Sequence, residues 1–304
     1  METPNFDPGL TQQFYSPLRR AINKDGSFNV HRRGTTWRDV HPYLHLINMG
    51  WGKFLAIIFV AYVIVNTLFA LVYFSLGPGE LQGANGATAL DHFLNSFFFS
   101  AHTLTTVGYG SISPKGTAAN IVAAIEAMVG LMGFALATGL LFGRVSRPSA
   151  RIGFSEKMLV APYQGGTSLQ FRIVNKRPNN LMELQASVLL MTVEGTPLTR
   201  RYTALKLERE SVYFFPLTWT IVHPIDDQSP LRGRAPEELQ KMQAELLILI
   251  KGFDDTFSQT VHARYSYRYD EIVWDARFTP AFQIDPVGDI VLDVDQVGAL
   301  ASVK

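Results

Sequence analysis

Two stretches of the chain are apolar for longer than a strand or an ordinary core helix requires. Residues 54–74 (FLAIIFVAYVIVNTLFALVYF) hold no charge, and only Asn66 and Thr67 are strongly polar. At a helical rise of roughly 1.5 Å per residue the run is about 30 Å long, the thickness of a bilayer's hydrocarbon core. Trp51 and Lys53 flank one end and Tyr73 the other, as interfacial anchors do. Residues 117–142 form a second run with one charge, Glu126, and Gly130, Gly133, Gly139 and Gly143 make one side of it small. Gly77-Pro78-Gly79 closes the first run, and residues 80–90 form a polar turret. Residues 92–104 (HFLNSFFFSAHTL) keep helical apolar spacing over too short a length to span, which predicts a re-entrant helix.

Upstream, Trp37, Val40, Leu44 and Ile47 recur at spacings of three and four among Arg38, Asp39, His41 and His45. Residues 37–49 therefore read as an amphipathic slide helix lying along the membrane surface. Residues 1–36 are polar and Pro-interrupted, with no apolar h-region, so no cleavable signal peptide is expected there. Asn23-Lys24-Asp25-Gly26 signals a turn, and Phe28 and Val30 alternate with polar residues as in a short strand. Arg19, Arg20, Lys24, Arg32, Arg33, Arg38 and Lys53 precede the first run, none follows before Pro114, and Arg144, Arg147 and Arg151 follow the second. The positive-inside rule then puts both termini in the cytoplasm, and a cell inner membrane is the expected location.

Beyond residue 150 the period changes to two. Residues 168–174, 183–193, 213–222, 245–251, 260–269 and 272–278 alternate or are rich in β-branched and aromatic residues, with turn signals between them. They predict an antiparallel β-sandwich, and only residues 236–246 read as a helix. The organisation expected is 1–36, a cytoplasmic segment; 37–149, slide helix and pore; and 150–304, a cytoplasmic β domain. Charged residues make up 17% of the chain against roughly 25% in soluble domains, a deficit confined to the apolar runs. A net charge of +1 gives no reason to expect nucleic acid, and the absence of Cys excludes disulfides and Cys-ligated zinc. No G-x-S-x-G, Walker A or G-x-G-x-x-G motif is present, so no enzyme and no cofactor are expected. His223, His262 and Asp226-Asp227 could be imagined as a metal cluster, but His223-Pro224 and Asp226-Asp227 sit in a turn, which reads better as a solvated loop.

The chemistry lies between the two spans. Thr105-Thr106-Val107-Gly108-Tyr109-Gly110 alternates glycines with L-residues, and glycine adopts positive φ at little cost. Such alternation can turn successive carbonyls to one side, and four copies about an axis would stack carbonyl rings that replace the water shell of K⁺. The T-V-G-Y-G of residues 106–110 resembles the potassium-channel signature. K⁺ as permeant ion would then be held at Thr106, Val107, Gly108 and Tyr109, in a homotetramer.

A second resemblance runs through the β domain. His223-Pro224-Ile225-Asp226-Asp227-Gln228-Ser229-Pro230-Leu231 is similar to the H-x-I-D-x-x-S-P-L segment of inward-rectifier potassium channels. Ala263-Arg264-Tyr265-Ser266-Tyr267, Glu271-Ile272-Val273-Trp274 and Arg277-Phe278 resemble their A-R-x-S-Y, E-I-x-W and R-F elements. The chain is thus similar to the bacterial inward rectifiers of KirBac type over about residues 23–280, which implies a tetramer with an immunoglobulin-like cytoplasmic domain extending the pore. The resemblance makes Phe142 a bundle-crossing gate, with Leu141 the next candidate barrier, and Gly130 a hinge. A lipid-facing Phe142 is the alternative, and its spacing of four from Gly130, Phe134 and Thr138 favours the pore side. Phe134, with Thr138 in the cavity, stands where strongly rectifying relatives carry an acid, which puts strong rectification from that site in doubt. His102 stands where many relatives have a Glu behind the filter, and Glu126 is expected buried behind it with pore-helix hydroxyls as partners. Trp51, Lys53, Arg144, Arg147 and Arg151 match the family's anionic-lipid site, phosphoinositide included, although the positive-inside rule alone also accounts for the arginines. Two rival readings remain: a non-selective cation channel, and a membrane-anchored β-sandwich sensor that conducts nothing.

Overall fold

A computed structural model describes residues 8–10, 20–31, 33–34, 41–146, 150–195 and 198–302. The chain divides into two compact units, residues 33–147 and residues 1–32 with 148–304.

The first unit is helical. α1 (Pro42–Asn48) starts with Pro at its first position, where the missing N–H costs nothing. Trp37 and Val40, which carry the prediction of a longer helix over 37–49, lie outside the described residues. α2 (Trp51–Leu76) begins three residues before the uncharged run and ends at Gly77, whose φ of +99° an L side chain rarely adopts. α4 (Thr117–Val145) extends three residues past the predicted end. At 26 and 29 residues, and with an apolar composition, both are long enough to cross a bilayer. Between them α3 (Ala89–Leu104) has 16 residues, roughly 24 Å at the helical rise, too short to span. It begins three residues earlier than predicted because Thr88 and Asp91 form a capping box, each side chain accepting the other's backbone N–H. The turret is pinned by β1 (Leu81–Gln82), antiparallel to β2 (Ser113–Pro114), and buried Leu81 packs with Tyr73 and Phe99.

The second unit is a two-sheet sandwich. Its strands are β3 (Ile152–Phe154), β4 (Met158–Tyr163), β5 (Gly166–Asn175), β6 (Leu181–Glu194), β7 (Thr199–Ala204), β8 (Ser211–Phe214), β9 (Thr218–Pro224), β10 (Glu245–Asp254), β11 (Gln259–Arg268) and β12 (Ile272–Trp274). Small two-stranded pairs follow, β13 (Ala276–Phe278) with β16 (Leu300–Ser302) and β14 (Phe282–Ile284) with β15 (Ile290–Leu292). One sheet runs β11-β10-β6-β7 with β8 on β6; the other runs β12-β4-β5-β3 with β9 on β5. The core between them holds Phe171, Ile173, Leu184, Val188, Leu246, Ile248 and Ile250. Each such side chain contributes about 1.5–3 kcal/mol by leaving water.

Four predictions need correction. The helix expected over 236–246 is α5 (Pro236–Lys241) alone; Gln243 turns through φ +46°, and Leu246 is a fully buried strand residue hydrogen-bonded between β6 and β11. The run 213–222 splits into β8 and β9, and 272–278 splits at Asp275, whose φ is +53°. The sandwich is not wholly antiparallel, since β12 pairs parallel to β4. Strands β3, β4, β7 and β14 to β16 are short enough to escape the pattern.

Residues 20–31 belong to the β unit. The predicted turn forms, with Gly26 at φ +80° and an Ile22–Phe28 bridge. Ile22 packs with Met191, Tyr202 and Leu247 on the outer face of the β11-β10-β6-β7 sheet, so β10 is buried on both sides over residues 245–248. Glu245 is buried and accepts the Ala21 N–H at 3.0 Å, and the Ser266 hydroxyl donates to the Ile22 carbonyl at 2.7 Å. Arg20 and Lys24 both pair with Glu271. Burial works against the Lys24 charge, but the Glu271 carboxylate beside it leaves the ammonium pKa raised.

Candidate functional site

Thr105 caps the C-terminus of α3, and its hydroxyl donates to the Ala101 carbonyl at 2.7 Å. From there φ is positive at alternate residues, +59° at Thr106, +54° at Gly108 and +77° at Gly110. A Cβ on Gly108 or Gly110 would meet no atom of the chain within 4 Å, so it is the backbone angle that calls for glycine. Thr106 holds the same sign without that freedom, at a cost of about 1–2 kcal/mol, and its N–H is held by the Thr103 carbonyl at 3.0 Å. The His102 carbonyl accepts two N–H groups, from Val107 at 3.0 Å and Gly108 at 3.2 Å. The last turn of α3 thus takes up the amides of the stretch. Among the described residues, no hydrogen bond ends on a carbonyl from 105 to 110. The His102 ring meets the Tyr109 ring edge-on, centroids 4.8 Å apart.

Glu126 is fully buried, and both carboxylate oxygens are occupied: Ser100 of α3 donates to one and Tyr73 of α2 to the other at 2.7 Å. Ser100 is a pore-helix hydroxyl of the kind the sequence predicts. Tyr73 departs from its prediction, since its place at the end of the apolar run reads as an interfacial anchor and it is 1% exposed. Asn66 is buried as well, with both its backbone oxygen and its Oδ1 3.2 Å from the Ser100 hydroxyl oxygen. The signal available is spacing: Asn66 and Tyr73, seven apart, share a helix face, and an intramembrane Glu requires donors.

α4 runs unbroken through Gly130, where a Cβ would overlap the Leu104 carbonyl. That close approach is what the structure asks of this glycine. Gly143 does the same for α1, seating Tyr43 and Ile47. Phe134, Thr138 and Phe142 form a stripe at spacing four that the chain leaves uncovered, Phe142 at 70% exposure, with Leu141 beside it.

Arg144, one of the residues matched to the lipid site, is engaged within the chain. Its guanidinium donates to the carbonyls of Leu46, of Ile47 at 2.9 Å and of Met49 at 2.7 Å, and lies over the Trp51 and Phe54 rings. Lys53 is exposed on the first turn of α2, Arg151 is exposed in the β unit, and Arg147 lies outside the described residues. In the β unit, His223 is not in a solvated loop as predicted but is buried at the end of β9. Nδ1 is 2.6 Å from the Lys206 carbonyl and so donates, which leaves Nε2 to accept from the Ser229 hydroxyl at 2.8 Å. Burial pushes its pKa down, consistent with that neutral tautomer. Asp227 pairs with Arg232 instead of approaching His223.

Two spanning helices, a short helix ending in a carbonyl-bearing loop and a β-sandwich are the parts of a two-span ion-channel pore with an appended β domain. The sequence agrees. Residues 54–147 match the ion channel family and residues 152–304 the inward rectifier potassium channel C-terminal domain. The chain is 35% identical over 288 residues to the inward rectifier potassium channel Kirbac3.1 of Paramagnetospirillum magnetotacticum, covering 93% of this chain and 96% of that one. It is 26% identical to G protein-activated inward rectifier potassium channel 2 of Mesocricetus auratus, over 88% of this chain and 68% of that one. Channel 3 of the G protein-activated group from Mus musculus is also 26% identical, over 93% and 78%. The chain belongs to the inward rectifier potassium channel family. It is a membrane potassium channel and not an enzyme, with K⁺ as the permeant ion.

Proposed function

We propose that four copies of the chain assemble around residues 105–110 and that the carbonyls of this stretch, with the Thr106 hydroxyl, dehydrate and select K⁺. The observation that carries the reading is the alternation of φ sign at Thr106, Gly108 and Gly110 together with carbonyls that accept nothing from the described residues. His102, packed on Tyr109, and Glu126 support the stretch from behind. The uncovered stripe of Phe134, Thr138 and Phe142 lines the cavity and inner mouth, where four apolar rings at Phe142, with Leu141 adjacent, close the path by dewetting. Gly130 serves as hinge only if the Leu104 carbonyl withdraws, since the two are in contact in the conformation described.

The channel sits in the cell inner membrane with both termini and the β unit cytoplasmic, on the distribution of basic residues. The β unit and anionic lipid, phosphoinositide among the candidates, set the open fraction. Trp51, Lys53, Arg144, Arg147 and Arg151 are the candidate anionic-lipid residues on their sequence positions, and the Arg144 guanidinium is also engaged by the carbonyls at the end of α1.

Uptake of ⁸⁶Rb⁺ and ²²Na⁺ into liposomes carrying the purified protein tests the reading. Rb⁺ uptake exceeding Na⁺ uptake by at least about tenfold is expected. Equal uptake would mean a non-selective channel, and no uptake of either ion in anionic or neutral lipid would leave a sensor without a pore.

A further inference from the structure

We infer that Glu126 is a positioning residue for the selectivity filter, setting the height of α3 against α4 through a two-rung seam. This rests on the reading of residues 105–110 as the filter.

The geometry is regular. Ser100 and Leu104 are one turn apart on α3, and Glu126 and Gly130 are one turn apart on α4. The first rung is the Ser100 hydroxyl on the Glu126 carboxylate; the second is the Leu104 carbonyl against the bare Cα of Gly130. One rung is directional and the other is a steric stop, so α3 can neither slide along α4 nor rotate without losing both. Tyr73 holds the second carboxylate oxygen and joins α2 to the same point. Among the described residues no ion pair reaches Glu126. Its contacts are the hydroxyls of Ser100 and Tyr73.

The filter hangs from the same turn of α3. Thr103 and His102 lie between Ser100 and Leu104, and their carbonyls hold the amides of Thr106, Val107 and Gly108. A shift of α3 by a fraction of a turn therefore moves the acceptors that fix the filter backbone. Four copies shift together, so the ion sites change height and width at once.

The seam predicts an ordering among variants. Glu126→Leu keeps bulk but offers no acceptor, and the Ser100 hydroxyl would turn to Asn66, 3.2 Å away, breaking the first rung. Glu126→Gln keeps it: the amide oxygen accepts from Tyr73 while the amide NH₂ donates to Ser100, whose own proton passes to Asn66. The experiment compares Glu126→Leu, Glu126→Gln, Ser100→Ala and Gly108→Ala as reconstituted tetramers, reading the Rb⁺-over-Na⁺ ratio, Ba²⁺ block and thermal stability. Glu126→Leu is expected to lower the ratio about tenfold and weaken Ba²⁺ block in the tetramers that form, with some loss of thermal stability because the buried Tyr73 hydroxyl is left without its acceptor. Ser100→Ala should move the same way, and serves alone if Glu126→Leu does not assemble. Glu126→Gln should stay within about threefold of the parent.

A parental ratio and parental Ba²⁺ block in Glu126→Leu or Ser100→Ala would overturn the seam. So would a Glu126→Gln as damaged as Glu126→Leu, which would make the charge the cause. A fall in selectivity that only follows lost tetramer would overturn it too. If Gly108→Ala is damaged while the seam variants are not, the seam alone fails; if Gly108→Ala is also unchanged, the filter reading fails with it.

Discussion

Gly108→Ala is expected to cut the Rb⁺-over-Na⁺ uptake ratio by about tenfold or more, with tetramers still forming. The reason is the backbone and not space. Gly108 sits at φ +54°, and a Cβ there would touch nothing in its own chain. An alanine at that angle is strained by roughly 1–2 kcal/mol in each copy. The strain is relieved if the peptide rotates, which turns a carbonyl away from the ion and breaks the Gly108 N–H bond to His102. Selectivity depends on the whole ring, so the penalty is felt four times at one site. Gly133→Ala is the matched control: it lies mid-helix in α4 with open space for a Cβ, and it should leave the ratio unchanged. A parental ratio in Gly108→Ala would remove residues 105–110 from the ion path.

Phe142→Ala is expected to raise resting flux per tetramer several-fold while leaving the Rb⁺-over-Na⁺ ratio intact. An apolar constriction offers a hydrated ion no ligand in exchange for water, so shrinking four rings lowers the barrier. The filter is untouched, and the ratio should not follow. Phe59→Ala is the comparison: its ring is 65% exposed on α2, a lipid-facing site by its place in the first span, and neither flux nor ratio should change. The measurement is initial uptake at matched protein density. Equal flux for Phe142→Ala and the parent would put the closed barrier elsewhere, with Leu141 the next candidate.

The long apolar helices and the positive-φ glycines are legible in the sequence because their physics is local. A run without charges at this length points to a span, and glycines at alternate positions 108 and 110 permit the positive φ found there. The sheet of β6, β10 and β11 is legible for the same reason: these strands alternate or are β-branched over ten residues or more. The sequence misleads where a residue's role is set by a distant partner. Leu246 reads as the end of a helix until β6 and β11 claim its backbone. Tyr73 reads as an anchor until Glu126 requires a second donor. His223 looks like part of a solvated turn until Lys206 and Ser229 take its two nitrogens. Arg144 adds contacts that no sequence pattern announces. Its place among the basic residues after the second span fits topology and lipid equally well, and its actual partners, three carbonyls near residues 46–49, carry no side-chain signature at all.

α1 is a helix that borrows its ending. Seven residues are too few to be helical alone in water, where isolated helices shorter than about 12–15 residues are marginal. Its last carbonyls find no donor within the helix, and the side chain that satisfies them is rooted in α4 two residues beyond Phe142. When the inner turn of α4 moves, α1 must travel with it or fray. Helical order at residues 42–48 is therefore a gauge of where the inner mouth stands. In hydrogen-exchange terms, the amides of 46–49 should lose protection in Arg144→Met, and in the parent protein their protection should fall under any condition that displaces the Phe142 turn. Unchanged protection in Arg144→Met would show that α1 stands without its borrowed cap.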